Sequence, residues 1–295
     1  MNISFNDSCY PRILREIDDA PEKLYYKGDI NLLKKTCIAI VGTRKSSNYG
    51  EVLCDHFIKE LSSFDVCIVS GLALGIDTCA HKSALKYGLK TIAVLGTGID
   101  KIYPRSNYEL YEKIEKKGLI ISELDRETDA KKYTFVLRNR IISGISIACL
   151  VVEAPDSSGA LITARSALNQ GRDVFTIPQD IDKVNGRGPL KLIQEGVAFP
   201  VSSAKDMIKT INESNKLFNM DEKTKFREIF DDKINVNVSN DEKKVLNTLS
   251  LYRSKSYEEI VFKTGFAFTK VLSLLSILEV KGFIKMLNGK YLKSL

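Results

Sequence analysis

The sequence predicts a doubly wound α/β fold with a mainly parallel sheet, followed by a small helical unit that ends in a β-hairpin. Three observations predict it. Short runs such as "CIAIVG", "VCIVSG", "TIAVLG", "LIISEL", "ACLVVEA" and "DVFTIP" are continuously apolar rather than alternating, the pattern of strands covered on both faces. Amphipathic stretches such as "YGEVLCDHFIKELSSF", "DTCAHKSALKYG" and "ALITARSALNQG" separate them, so successive strands connect through helices and lie parallel. Past Met207 this pattern gives way to an Asn-, Lys- and Asp-rich stretch, and a different one begins at Asp241.

Residues 1–36 read as a short lead-in, residues 37–210 as the α/β domain, residues 211–240 as a linker and residues 241–295 as a second domain. In the last, "DEKKVLNTLSLY", "SYEEIVFKTG" and "AFTKVLSLLSILEVKG" read as helices. "FIKMLNGKYLKSL" follows with an Asn288-Gly289 hairpin turn, so the order is that of a winged helix.

Composition narrows the function classes. With 295 residues, 44% hydrophobic and 27% charged, the chain has the make-up of an ordinary globular protein with room for two domains. A net charge of +7 favours a polyanionic partner. Six cysteines form no CxxC pair and several sit in strand-like runs, as expected of reduced thiols in a cytoplasmic protein. Only His56 and His81 are present, so neither a zinc site nor any other cofactor is expected. No leader pattern opens the chain and no run of about 18 apolar residues occurs, so membrane insertion is not expected.

Five stretches at expected strand ends or helix starts carry chemistry. "VGTRKSSNYG" places Gly42, Thr43 and Arg44 where a tight turn can offer amides and a guanidinium to phosphate, although it matches neither dinucleotide nor Walker spacing. "IVSGLALGIDTCAH" ends a strand at Ser70-Gly71 and sets Asp77 and His81 four residues apart on one helix face, where they can pair. "LGTGIDKIYPRSN" presents Tyr103 and Arg105, "YTFVLRNRIISG" presents Arg138, Asn139 and Arg140, and "VVEAPDSSGALITA" ends a strand in Glu153 and caps a helix with Ser157-Ser158-Gly159. Each has an ordinary structural explanation: a turn, an ion pair or a cap. Together they fall on one edge of one sheet and describe a cationic, glycine-lined pocket without a nucleophile, base and acid set.

These blocks, with "ISEL", "GRDVFTIP" and the lead-in "YPRILREIDDAPEKLYYKG", follow in order those of the DNA-processing protein A family (DprA/Smf), which the chain resembles from about Tyr10 to Met207. The resemblance implies an extended Rossmann-like domain that binds incoming single-stranded DNA in natural transformation. It also implies a homodimer that loads the RecA recombinase against single-strand-binding protein. It places strand contacts at Gly42, Thr43, Arg44, Ser70, Gly71, Arg105, Phe135, Arg138, Asn139 and Arg140. Asp77, His81 and Glu153 are then expected to order loops rather than react. The chain departs from many relatives in reading Phe135-Val136 for Phe-Pro and Pro178-Gln179 for Pro-Gly.

Two rival functions share parts of this pattern. A nucleoside monophosphate phosphoribohydrolase of the lysine-decarboxylase-like group uses a related sheet, but its Pro-Gly-Gly-x-Gly-Thr loop is absent from "APDSSGALITA". A winged-helix transcription regulator would read one duplex sequence.

Overall fold

The computed structural model describes residues 1–214, 238–249, 255–287 and 289–293. The chain divides into two compact units, Met1–Lys223 and Thr224–Leu295.

In the first unit the strands are β1 (Asn2–Ser4), β2 (Lys23–Gly28), β3 (Cys37–Val41), β4 (Cys67–Ser70), β5 (Lys90–Val94), β6 (Leu119–Ser122), β7 (Ala148–Val151), β8 (Asp173–Thr176) and β9 (Phe199–Pro200). The helices are α1 (Arg12–Arg15), α2 (Asn48–Leu61), α3 (Ile76–Lys86), α4 (Tyr108–Lys117), α5 (Lys132–Gly144), α6 (Gly159–Asn169), α7 (Arg187–Gln194) and α8 (Ala204–Ser214). One nine-stranded sheet has the order β1-β2-β6-β5-β4-β3-β7-β8-β9. From β6 to β9 every pairing is parallel, whereas β2 pairs antiparallel with both β6 and β1.

The six apolar runs all become strands, and β3, β4, β6 and β7 are buried at every position, as continuous runs in a sheet covered on both faces should be. Cys37, Ala39 and Val41 of β3 join a core with Leu14 of α1, Ile142 of α5, Ala164 of α6 and Leu192 of α7. The sheet is mainly parallel and Rossmann-like, as expected. Residues 1–36 do not stand apart as a lead-in: they supply β1 and β2, and Ile3, Leu14 and Leu24 are buried in the same core. Helix α8 runs on past residue 210, and most of the expected linker lies outside the described residues.

The chain lays down β3 through β6 outward in one direction, then α5 carries it back so that β7 pairs on the other side of β3. This reversal opens a crevice beyond the carboxyl ends of β3 and β7, where open α/β sheets hold ligands.

The second unit has helices Asn240–Thr248, Tyr257–Thr264 and Phe268–Val280, then an antiparallel hairpin pairing Leu287 with Lys290. Ser239 with Glu242 and Ser256 with Glu259 form capping boxes that start the first two helices. Val245, Ile260, Leu275 and Ile284 meet in its core. Asn288, expected in the turn, lies outside the described residues. Lys270 pairs with Asp241 at 2.6 Å, and the exposed Leu272, Ser273, Ser276 and Ile277 of the third helix carry no charge. Among the described residues no single helix is long and apolar enough to cross a membrane.

Candidate functional site

The crevice at the reversal point is an open cleft of about 660 Å³, lined by Gly42, Thr43 and Arg44 after β3, Ala73 and Asp77 after β4, Tyr103 after β5, Lys131, Lys132 and Phe135 at the start of α5, and Ser157 to Ala160 at the start of α6. Its walls therefore bring together the stretches that the sequence singled out, with the exceptions described below.

Glu153 builds the loop that carries Arg44. Its backbone oxygen accepts from the Thr43 amide at 2.7 Å, and its buried carboxylate accepts from the Ser47 amide at 2.9 Å and from the Ser47 hydroxyl. Asn185 adds a contact to the same carboxylate at 3.3 Å. Ser47 in turn caps α2 by accepting from the Gly50 amide at 3.0 Å. The close approach of the two loops requires Gly75: its φ is +74°, and a Cβ there would lie 2.2 Å from the Thr43 carbonyl oxygen. Arg44 itself is exposed, with its guanidinium 4.9 Å from the centre of the Phe135 ring. Tyr103 continues the stack, its ring 5.5 Å from Phe135 and 46% exposed.

Behind this rim lies a largely buried polar layer, of which Asp77 and Arg138 reach the cleft lining. Asp77 accepts from the amides of Gly71 and Ala73 at 3.1 and 3.4 Å, which fixes a loop in which Leu72, fully buried, adopts a left-handed φ of 54°. Burial raises the Asp77 carboxyl above its usual range, against the opposing effects of Arg138 and the amides. His81 does not pair with Asp77 as its spacing allows. Its Nδ1 lies 2.7 Å from the Thr91 hydroxyl, which in turn lies 2.8 Å from the Ile68 carbonyl oxygen. Burial, with Arg138 adding, lowers the His81 pKa to about 3, so the ring is neutral. Ser70 is also placed away from the ligand: it is fully buried, its hydroxyl donates to the Ile40 carbonyl at 2.7 Å, and it does not line the cleft.

The arginine pair divides. Positions 138 and 140 sit about 200° apart around a helix, so they face opposite ways. Arg138 is only 6% exposed; its Nη1 donates to the carbonyls of Gly71, at 2.7 Å, and Val94, and its Nε to Asn139 at 3.2 Å. Burial lowers its pKa to about 10, and it remains a cation at neutral pH. Arg140 leaves the cleft altogether and forks onto Glu123 at 2.9 and 2.6 Å and onto Asp19 at 2.9 Å. Asn139 lines the cleft while bonding the Gly159 carbonyl at 3.4 Å. Arg105 is exposed in the turn after Tyr103 and does not line the cleft. Arg44, Thr43, Phe135 and Asn139 thus line the cleft, as does Arg138 with its donors engaged by backbone carbonyls, whereas Ser70 and Arg140 do not line it.

Sequence reasoning missed Lys131 and Lys132, exposed on the cleft wall and free of carboxylate partners among the described residues. The available signal was a lysine pair directly before an apolar helical pattern. With Arg44 and the helix starts of α5 and α6, they make the wall cationic. No trio of His, Cys, Asp or Glu among the described residues is arranged to hold a metal ion.

Fold and site define an open α/β protein with a cationic, aromatic-edged cleft at its reversal point, where Asp77 and His81 are largely buried. Residues 2–212 match the family model described as DNA recombination-mediator protein A, and the chain belongs to that family, DprA/Smf. It is 42% identical over 214 residues to the DNA processing protein DprA of Bacillus subtilis, covering 72% of each chain. The crystal structure of DprA from Streptococcus pneumoniae superposes with a TM-score of 0.69 at 44% identity, over 71% of this chain and 73% of that one. A Helicobacter pylori DprA structure, described for its single-stranded DNA binding mode, superposes with a TM-score of 0.65 at 29% identity, over 72% of this chain and 97% of that one.

Proposed function

We propose that the first unit binds single-stranded DNA in this cleft without cleaving it, and that the chain works as a cytoplasmic homodimer that hands the strand to the RecA recombinase during natural transformation, in the presence of single-strand-binding protein. The observation that carries the reading is the Tyr103–Phe135–Arg44 cluster, with Tyr103 and Arg44 exposed, beside Lys131 and Lys132. Cations neutralise the backbone while the exposed tyrosine face takes an unstacked base, which a duplex does not offer. The family's recombination-mediator description supports the RecA step. Asp77, which lines the cleft, and His81 are only 6% and 0% exposed, which favours binding over hydrolysis.

The test is a titration with a labelled single strand and the matching duplex at two salt concentrations, beside an AMP hydrolysis assay. If about four phosphates are neutralised, log affinity should fall with log salt at a slope near −3, from about −0.7 per phosphate. Arg44→Ala should cost about 1–3 kcal/mol of strand binding and leave folding unchanged. A flat salt response, or release of ribose 5-phosphate from AMP, overturns the reading. RecA filament formation on strands coated with single-strand-binding protein, with and without this protein, tests the later step.

A further inference from the structure

We propose that a second groove, between α3 and α4, holds the phosphate backbone of the strand as it leaves the cleft, an inference that rests on strand binding at the cleft. The groove has a volume of about 320 Å³, and Lys82 on α3 and Lys113 on α4 stand on its two walls. That size is at the lower end for ligand pockets, which suits a single backbone segment rather than a large molecule. Both lysines are exposed and free of ion pairs among the described residues. The third lysine there, Lys86, is held by Asp55 at 3.1 Å, so two free cations face the one lining carboxylate, Glu109.

The groove is joined to the cleft by a rigid turn. Asn107, buried at its end, donates to the Leu72 carbonyl at 3.0 Å and to the Thr78 hydroxyl at 2.8 Å. The turn is therefore pinned to the same loop that Asp77 and Arg138 hold on the cleft side. Tyr103 edges the cleft, Asn107 lines the groove, and the exposed Arg105 lies between them. Four residues of chain span at most about 14 Å. The path thus runs from Tyr103 past Arg105 to Lys82 and Lys113, with cations spaced along it.

The experiment compares the full chain with its Lys82→Glu/Lys113→Glu variant, measuring anisotropy of labelled thymidine strands of about three and about twenty nucleotides, with thermal unfolding as a control on folding. The short strand fills the cleft alone, so the variant should bind it within about twofold of the parent. For the long strand the variant should lose about tenfold, and its salt slope should be shallower by about 1.4, at about 0.7 for each of two phosphates. Parental affinity and slope of the variant for the long strand overturn the proposal. If the parent fails to bind the short strand, and the double substitution removes binding of the long one, the groove stands and the cleft reading falls. If the parent binds neither length, both fall.

Discussion

Replacing Arg138 by methionine keeps an unbranched apolar stem and removes the guanidinium with its charge and donors. The carbonyls of Gly71 and Val94 then lose their donor, and Asp77 loses the cation that opposes its burial. Each stranded acceptor costs about 1–3 kcal/mol, and breaking a buried charged network by removing one partner costs about 3–5 kcal/mol in all. For a unit of this size, about 2–4 °C of Tm is lost per kcal/mol, so Tm should fall by about 6–20 °C. The loss should shrink in acid. The Asp77 pKa is already raised, so the folded state holds its proton more readily than the unfolded chain does, and without Arg138 it rises further. As pH falls through that raised value Asp77 becomes neutral and needs no cation. Calorimetry at several pH values measures this, with strand binding followed well below the new Tm. Arg44→Ala is the reference, because it should lose affinity with Tm unchanged. An Arg138→Met protein with parental Tm and abolished strand binding would refute the reasoning, since the arginine would then be acting on the ligand directly.

Other perturbations probe the same layer and its rim. His81 is lowered to about 3 from an ordinary 6.5, so the unfolded chain takes the proton first. Its contribution is present above about pH 6.5 and is lost toward pH 3 at about 1.4 kcal/mol per pH unit, which denaturant midpoints in the parent and in His81→Gln would show as a flatter acid limb in the variant. Glu153→Gln turns an amide donor toward the donors of Ser47 and Asn185, so it should cost about 1–3 kcal/mol of stability in urea unfolding and weaken strand binding through the Arg44 loop. Phe135→Ala removes the ring between Tyr103 and Arg44 and should cost about 1–3 kcal/mol of strand affinity by anisotropy, with little change in salt slope because no charge is lost.

Much of this was legible in the sequence because parallel strands covered on both faces leave continuous apolar runs, and each such run became a strand. What escaped was short, edge-placed or, in β2, neither continuously apolar nor alternating in burial. In β1 the run "NIS" buries only Ile3, and β9 is a two-residue pairing, so neither carries a period to read. The positions of the candidate site were readable from strand ends and helix starts, but the direction of each side chain was not. The RNR block shows why: helix periodicity separates Arg138 from Arg140, yet only the packed sheet decides that 138 turns onto the Gly71 carbonyl and 140 onto Glu123. Likewise, the spacing of Asp77 and His81 permits a pair. The neighbouring strands instead supply better partners, the Gly71 amide for one and Thr91 for the other.

The same distinction bears on how a modest charge excess becomes a binding surface. A net +7 says little, because many of the exposed cations are already used: Arg126 on Asp100, Arg165 on Glu195, Lys35 on Asp65. Exposed pairs of this kind contribute little stability, but they cancel the field that a polyanion would feel. Among the described residues Arg44, Lys131 and Lys132 are left without carboxylates at a crevice where helix starts also converge, and there the buried carboxylate of Glu153 has its oxygens turned to Ser47 and Asn185. The attraction of the cleft for a nucleic-acid backbone therefore follows less from how many cations the chain has than from where the fold withholds their partners.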